Sequence, residues 1–433
     1  MRSTATLLIC ATVACVFRPL DASTVEAGFT SLFDGKTLNG WKLVGKRGEG
    51  YGVKEGVIYC AKGGGGNLFT EREFANFTLR FEFKLEPGSN NGIAIRAPLI
   101  EGSAAYLGTE IQVLDDTAPQ YANLRPAQYH GSIYDVVPAK RGAQKPVGDW
   151  NEEEITANGR SVKVVLNGQT IVEADLNTIT DGPTLLKHPG LLRERGHIGL
   201  LGHNDYVEFR NIRLQELPAN EKDNTPPKGF TALFNGTDLT GWKGLLAEPY
   251  DNPSKRAALR PEERAARQKK VDEDMRAHWK AENGEIVFDG KGRSLCAAKD
   301  YGNFELYVDW KIPPHGDSGI YLRGSPQVQV WDPFTPGAKY NTKVGSGGLY
   351  NNQKNPANPL KVADKPIGEW NRFRILMIGD KVQVFLNGEM VVHNVTLENY
   401  WDRSQPIFPT GQIELQNHGD RLWFKNIYIR ELP

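Results

Sequence analysis

The stretch GFTSLFDG at residues 28–35 recurs almost unchanged as GFTALFNG at residues 229–236. Each version is followed at the same spacing by a Gly-Trp-Lys triplet, which ends at Lys42 in the first case and at Lys243 in the second. Further pairs follow in the same order: GDWN at 148–151 with GEWN at 368–371, LNG at 166–168 with LNG at 386–388, and FRNI at 209–212 with FKNI at 424–427. Collinear matches of this kind indicate a duplicated domain.

The duplication sets the expected domain limits. We expect a first domain at 28–218 and a second at 229–433, because both copies end on Glu-Leu-Pro. The polar stretch between them, 219–228, ends in Pro-Pro-Lys and predicts a linker.

The composition excludes several classes of protein. The 433 residues include 52 Lys+Arg and 52 Asp+Glu, a formal net charge of +0, so no overall field attracts nucleic acid or an anionic membrane. Hydrophobic residues make up 39% and the chain has 46 Gly and 26 Pro, which indicates a folded chain with many turns. We expect no nucleic-acid partner, and the oligomeric state stays open.

The first residues predict export. An apolar run at 7–17 follows Met1 and Arg2 and precedes small residues, which is typical of a secretory signal peptide, here assigned to 1–22. The run is too short to cross a membrane, and no later apolar segment is long enough, so we expect no transmembrane segment. The expected location is periplasmic or extracellular. Lipoprotein anchoring through residues 12–15 is a less favoured alternative.

Within each copy the dominant period is two, which predicts half-buried β-strands. Apolar and polar residues alternate along 77–85 and along 304–312. Asn-Gly pairs such as 167–168 predict tight hairpins, so the sequence favours an all-β fold of two antiparallel sandwiches. The second copy adds a helical insertion at 250–280, which we expect along a sheet edge or over a cleft.

The first candidate site is a strand that carries acids. Glu110 and Gln112 share one face, and Asp115 joins that face if a bulge intervenes. Two carboxyl groups on a concave sheet are an arrangement that glycosidic chemistry uses, although strand-edge acids are often merely solvated. The second copy has at the matching positions Gln327, Gln329 and Asp332. An amide cannot act as a base, but it can hydrogen-bond a sugar hydroxyl.

Each copy also places an arginine, a histidine and aromatic rings near this strand. Arg96 and Arg323 follow polar turns and can bind hydroxyls or an oxyanion, or pair with an acid. A His-x-Asp triplet precedes each closing strand and can move protons near neutral pH, unless it is structural. The triplets are His203 with Asp205 and His418 with Asp420. Further substrate-binding candidates are His130, Asp317 and the tyrosines Tyr134, Tyr321 and Tyr350, whose rings stack on sugars or belong to the core.

These motifs together resemble the 3-keto-disaccharide hydrolase family. The resemblance rests on the repeated opening stretch, the Glu110-Ile-Gln-Val-Leu-Asp115 strand, Gly-[Asp/Glu]-Trp-Asn, Leu-Asn-Gly and Phe-[Arg/Lys]-Asn-Ile. It implies two tandem concanavalin-like jelly rolls similar to laminarinases, and an activity that cleaves glycosides oxidised at C3. Gln112 and Asp115 depart from the acidic motif of the related glucanases, which argues against an ordinary double-displacement mechanism.

The resemblance implies chemistry that depends on a ketone, because a 3-keto group acidifies the C2 hydrogen. We expect Glu110 or His203 to remove that proton and Asp205 to orient His203. Arg96 or a divalent cation such as calcium would stabilise the enolate, with no metal ligands assigned. The first copy is the expected catalyst. The second is expected to bind the glycoside or oligosaccharide substrate or to perform a related second step.

Two other functions stay open on the sequence. The first is a pair of non-catalytic carbohydrate-binding or adhesion modules, since a fold does not fix a function. The second is an ordinary β-glucanase.

Overall fold

The computed structural model of the chain describes residues 26–219, 221–337 and 340–433. The predicted signal peptide, 1–22, lies outside the described residues. The domain limits 28–218 and 229–433, with the linker 219–228, stay predictions.

The first copy contributes thirteen strands to the part of the chain that the structure describes. They are β1 Thr30–Ser31, β2 Trp41–Arg47, β3 Tyr51–Lys54, β4 Val57–Cys60, β5 Gly65–Thr70, β6 Phe77–Leu85, β7 Asn90–Ala97, β8 Thr109–Leu114, β9 Asn151–Asn158, β10 Ser161–Leu166, β11 Gln169–Asp175, β12 His197–His203 and β13 Val207–Glu216. Its helices are short: α1 Ala104–Leu107, α2 Gly182–Lys187 and 3-10 turns at Pro119–Tyr121, Pro126–Gln128, Leu176–Thr178 and Pro189–Leu192.

The second copy repeats this set of strands. They are β14 Thr231–Ala232, β15 Trp242–Gly244, β16 Trp279–Glu282, β17 Glu285–Phe288, β18 Leu295–Ala297, β19 Asn303–Lys311, β20 Asp317–Leu322, β21 Ser325–Trp331, β22 Asn371–Ile378, β23 Lys381–Leu386, β24 Glu389–Thr396, β25 Glu414–Leu415 and β26 Leu422–Leu432. Its helices are α3 Pro253–Ala257, α4 Pro261–His278 and a 3-10 turn at Thr342–Val344.

Both copies have the same antiparallel topology. In the first, a large sheet runs β11-β10-β9-β6-β13-β4-β3 with β1 beside β13, and a small sheet runs β2-β5-β12-β7-β8. In the second, the orders are β16-β17-β26-β19-β22-β23-β24 with β14 beside β26, and β15-β18-β25-β20-β21. The expected all-β fold of two tandem jelly-roll sandwiches is confirmed. Each sandwich has its own apolar core between its two sheets.

Local sequence explains the strands and turns of the first copy. Along β6 every second side chain, from Phe77 to Leu85, is buried, and the polar side chains between them are half-buried on the outer face. Asn167 and Gly168 both have positive φ, at 49° and 81°, as a two-residue hairpin between β10 and β11 requires.

The second copy departs from the half-buried pattern, so that prediction was wrong for the strand at 304–312. Glu305, Tyr307 and Asp309 of β19 are all buried, because the first copy packs on this outer face. The segment 176–195 supplies Leu185 and Leu192, which form an apolar cluster with side chains of the second copy's large sheet. The Tyr307 hydroxyl donates to Glu194 Oε1 at 2.7 Å across the junction.

The predicted helical insertion forms α3 and α4. It packs on the edge strand β15: Gln268 Nε2 donates to the Gly244 carbonyl at 2.8 Å, and the Gly244 N–H donates to Asp272 Oδ1 at 2.9 Å. The helix therefore covers an edge whose backbone groups would otherwise be unpaired. Among the described residues, no helix is both long and apolar enough to cross a membrane.

Candidate functional site

A cleft of about 860 Å³ opens on the outer face of the first copy's small sheet. Alternation along β7 and β8 sends Ile93, Ile111 and Val113 into the core and leaves the residues between them on the cleft side. The lining includes Arg47, Asn67, Asn90, Tyr106, Glu110, Gln112, Tyr134 and His203. The hollow is thus polar and open, as a sugar site requires.

Glu110 forms the floor of this cleft. The side chain is 3% exposed, and its Oε1 has no hydrogen-bond partner among the described residues. Burial raises its pKa from 4.5 to about 8. A Cβ on Gly92 of the neighbouring strand would lie 1.9 Å from Glu110 Oε1, so only glycine leaves room for the carboxyl group there. A buried, unpaired acid of this kind is a candidate proton acceptor or donor.

Polar donors surround Glu110. Tyr134 lies next to Glu110, because the Tyr134 N–H donates to the Glu110 carbonyl at 2.9 Å. The Tyr134 hydroxyl accepts from Gln128 Nε2 at 3.3 Å, so its own proton is available to a ligand. Burial, outweighing that hydrogen bond, raises the pKa of Tyr134 and keeps it neutral. Gln112 uses its Oε1 to accept from the Val113 N–H at 3.1 Å, which leaves its amide NH2 for a ligand.

His203 lies at the other end of the same cleft. The register places Glu110 opposite Ala94 and, continued from Leu200 opposite Ile93, places His203 opposite Asn90. Two strand spacings and four residue steps separate them, so their Cα atoms are roughly 16 Å apart on an ideal sheet. Desolvation lowers the pKa of His203, and the nearby charge of Arg47 lowers it further. His203 and Glu110 therefore contact different parts of a ligand.

Asp205 caps the start of β7 and does not hold the His203 ring. Its Oδ2 accepts from the Asn90 N–H at 3.1 Å. Among the described residues, no hydrogen bond or ion pair joins Asp205 to His203. In the second copy Asp420 repeats this contact, accepting from the Asp317 N–H at 3.0 Å, while His418 Nδ1 lies 3.4 Å from Asp317 Oδ2.

The structure does not bring Arg96 or Arg323 to a cleft. Both residues have positive φ, 50° and 54°, which turns each side chain out of the strand's alternation. The Arg96 guanidinium donates to the carbonyls of Ala75 at 2.9 Å and Gly159 at 2.7 Å. Arg323 donates to the Gly302 carbonyl at 2.8 Å. Both arginines therefore tie loops together.

Asp115 and Asp332 also lie outside the clefts. Strands β7 and β8 pair without the bulge that would turn Asp115 inward, and the residue lies beyond the end of β8. Burial opposes its ionisation, but donors such as Thr117 and the Gly88 N–H, at 2.8 Å, bring a net lowering of its pKa. Asp332 accepts from the N–H groups of His315 and Phe334 at 2.9 and 2.8 Å in the same way.

His130 points into the core rather than the cleft. Its Nε2 lies 3.4 Å from Glu153 Oε2, and both side chains are buried. Its Nδ1 accepts from the Leu114 N–H at 3.3 Å, and its ring packs 5.0 Å from that of Phe83. The pair fills space that Ser346 and Phe373 fill in the second copy.

Sequence reasoning missed six polar cleft residues: Arg47, Asn67, Asn90, Glu101, Ser103 and Tyr106. Arg47 lies at the end of β2, where the two copies cease to match, so the repeat gave no signal for it. Asn90 is the counterpart of Asp317, and that pairing of the copies could have identified it. Arg47, and not the expected Arg96, is the arginine that lines this cleft.

The second copy has a smaller pocket, of about 520 Å³, in the equivalent place. The structure brings six of the expected residues to its lining: Asp317, Tyr321, Gln327, Gln329, Tyr350 and His418. Gln329 Nε2 donates to Asp317 Oδ1 at 2.7 Å, and Gln327 Nε2 donates to Gln329 Oε1. Gln327 stands where the first copy has Glu110, so the pocket floor has an amide rather than an acid.

Both copies match one family model, described as a 3-keto-alpha-glucoside-1,2-lyase-like domain, at residues 28–215 and 229–430. The chain belongs to this family. It carries the 3-keto-alpha-glucoside-1,2-lyase-like domain twice, and only the first of the two has the acidic cleft floor.

Known proteins similar to this family member include a 3-keto-disaccharide hydrolase of Bacteroides thetaiotaomicron, 31% identical over 237 residues, which cover 46% of this chain and 80% of the relative. A crystal structure from Parabacteroides distasonis ATCC 8503, provisionally assigned as a glycosyl hydrolase, is 28% identical with a TM-score of 0.39, and the match covers 44% of this chain and 99% of that one. A second such structure from the same organism is 22% identical with a TM-score of 0.38, over 44% and 94% of the two chains.

The expected divalent cation does not fit this 3-keto-alpha-glucoside-1,2-lyase-like chain. Within 26–219, 221–337 and 340–433 no three His, Cys, Asp or Glu side chains come together in a way that could hold a metal ion. The carboxylates that line the cleft are Glu101 and Glu110, and calcium sites in proteins usually gather more acidic ligands than these. No step below is routed through a metal.

Proposed function

We propose that the first-copy cleft cleaves 3-keto-glycosides by elimination followed by hydration, with Glu110 as the general base. The observation that carries the proposal is the unpaired Glu110 carboxyl group, whose pKa is raised to about 8 at the floor of a polar cleft. The family match and the relative named 3-keto-disaccharide hydrolase support the substrate class.

The first step is removal of the C2 proton. The Glu110 carboxylate accepts that proton, and the C2–H electron pair moves toward the C3 carbonyl to form an enolate. Because basicity follows pKa, a carboxylate with a pKa near 8 is a stronger base than an ordinary one. The ketone makes the C2 proton more acidic and the raised pKa makes Glu110 more basic, so both favour the same proton transfer.

The enolate oxygen needs hydrogen-bond donors that are in place before the reaction. The neutral Tyr134 hydroxyl and the Gln112 amide NH2 lie beside Glu110 and supply them. Neutral donors suit this role, because a cation next to Glu110 would lower its pKa and weaken it as a base.

Collapse of the enolate breaks the C1–O bond. The C1=C2 double bond forms as the aglycone oxygen leaves and takes a proton from a water molecule; the hydroxide that remains adds at C1 while C2 regains its proton from Glu110. The sum is hydrolysis of the glycosidic bond. Arg47, Asn67 and His203 lie farther along the cleft and are placed to hold the aglycone.

The test compares a 3-keto-glucoside with its unoxidised parent. Release of the aglycone from the keto sugar alone supports the proposal. Turnover of the unoxidised β-glucan would instead support an ordinary glucanase, and binding of both without turnover would support a pair of carbohydrate-binding modules. Export through the predicted signal peptide would place this activity in the periplasm or outside the cell. Measuring the secretion of a tagged full chain tests this.

A further inference from the structure

The second-copy pocket differs from the first in its aromatic lining. Five aromatic side chains face it: Tyr321, Trp331, Tyr340, Tyr350 and Tyr400. The first cleft has two, Tyr106 and Tyr134. Aromatic faces pack well on the C–H faces of pyranose rings, so this difference favours holding a sugar.

Three of these rings are exposed to a degree that apolar side chains rarely show. Tyr340, Tyr350 and Tyr400 are 40%, 42% and 44% exposed. Exposed aromatic side chains gathered at one pocket mark a ligand-binding surface, whereas isolated ones need no explanation.

Two acceptors in the same pocket have no partner. Gln327 Oε1 and Gln416 Oε1 are buried and accept no hydrogen bond from any described residue, and Gln327 as a whole is only 4% exposed. Buried acceptors without partners are costly, which indicates that a ligand with hydroxyl donors satisfies them.

Among the described residues, the floor of this pocket also carries no unpaired carboxylate. Gln327 replaces the glutamate of the first copy, and the Asp317 carboxylate is already engaged by Gln329 Nε2 at 2.7 Å and by His418 Nδ1 at 3.4 Å. The floor can therefore hydrogen-bond a sugar but has no unpaired carboxylate to deprotonate it.

We infer that the second-copy pocket is a non-catalytic binding site for a neutral saccharide. Sugar hydroxyls donate to the unpartnered amide oxygens, and the sugar ring faces pack on the tyrosines. The choice of glucosides as probes rests on the proposed function, but the site itself does not depend on turnover.

The experiment measures binding of maltose, cellobiose and methyl α-glucoside to the full chain by calorimetry. The chain carries Glu110→Gln, so that turnover does not interfere. We expect saturable binding of at least one probe, weakened about tenfold or more by Tyr350→Ala with Tyr400→Ala. Gln327→Leu should weaken binding to a similar extent, with the melting temperature checked for both variants.

The matched control is Leu360→Ala, which removes another exposed apolar side chain of the same copy, 68% exposed, outside the pocket lining. It should leave binding unchanged. Equal weakening by this control, or no saturable binding of any probe, would overturn the inference. Turnover of the 3-keto-glucoside by the unmodified chain is scored separately, so failure of the proposed function is distinguishable from failure of this site.

Discussion

Glu110 in the first cleft and Glu305 at the junction of the two copies are equally buried, yet their acidities are opposite. Burial raises the pKa of Glu110 to about 8, and no charge on another described residue offsets it. Burial also opposes ionisation of Glu305, but the charges of Arg374, Arg160 and Arg430 outweigh it and lower the pKa of Glu305 to about 2.

The difference shows that burial alone does not decide whether a carboxyl group is charged. The carboxylate of Glu305 accepts from Arg374 Nε at 2.6 Å and from Arg430 Nη2, so it is a fixed ion that joins strands under the first copy. The carboxyl group of Glu110 has a buried oxygen without a hydrogen-bond partner among the described residues, and the residue lines a cleft. A buried acid with paired cations is structural, and one without them is available for chemistry.

The largest expected effect is the loss of catalysis in the first cleft when Glu110 is replaced. Glu110→Gln should lower kcat on a 3-keto-glucoside about 10³-fold, because the amide is nearly isosteric but accepts no proton. Steady-state release of the aglycone measures it. The matched control is Glu305→Gln, which should retain kcat per folded molecule. A Glu110→Gln variant within threefold of the unmodified rate would contradict the assignment of the base.

Glu305→Gln should instead lower the free energy of unfolding by about 3 kcal/mol at pH 7, since it leaves buried arginines without their anion. The loss should shrink as the pH falls from 4.5 toward 2, because the lowered pKa makes the Glu305 contribution one that disappears on acidification. Urea unfolding at several pH values measures it.

The control for Glu305→Gln is Thr78→Ala, at the equivalent position of β6 in the first copy. There the outer face is open, and Thr78 pairs only with Thr156, at 3.1 Å between hydroxyl oxygens. We expect a loss of about 1 kcal/mol or less. Equal losses in both variants would show that the arginine cluster does not stabilise the junction.

The pH dependence of the rate is a further test of the contrast between Glu110 and Glu305. With a folded pKa of about 8, Glu110 is mostly protonated at pH 7, so kcat/KM should rise close to tenfold per pH unit up to about pH 8 and then level off. The free energy of unfolding should change in the opposite direction. The stabilisation that Glu110 contributes is complete below pH 4.5 and is lost as the pH rises through 8. A rate that falls over the same range would assign Glu110 the role of an acid instead.

The sequence predicted the strands of both copies but not what covers them. Alternation along 77–85 gave β6 correctly, whereas the same alternation along 304–312 failed for Glu305 and Tyr307, because contact with another part of the chain leaves no local periodicity. The candidate strand was identified from its sequence pattern, in which Glu110 and Gln112 share one face. Arg96 was misplaced because the pattern does not reveal a positive φ at that residue.

Tyr134→Arg would give Glu110 the kind of neighbour that Glu305 has. A guanidinium beside the carboxyl group should lower the pKa of Glu110 by about 1–3 units. The rising limb of the pH–rate profile should move to lower pH by that amount, and the plateau rate should fall because the base is weaker. Tyr134→Phe is the control: it removes the enolate donor without adding charge, so the rate falls and the limb stays near pH 8.

The smallest expected effect separates the two candidate bases. His203 lies roughly 16 Å from Glu110 along the ideal sheet, so His203→Ala should change kcat less than about fivefold and act mainly on KM through the aglycone. The measurement is kcat and KM for 3-keto-glucosides with a large and a small aglycone, and the KM effect should vanish with the small one. A loss of kcat as large as that of Glu110→Gln would make His203 the base. It would also leave the buried acid of the cleft as structural as Glu305.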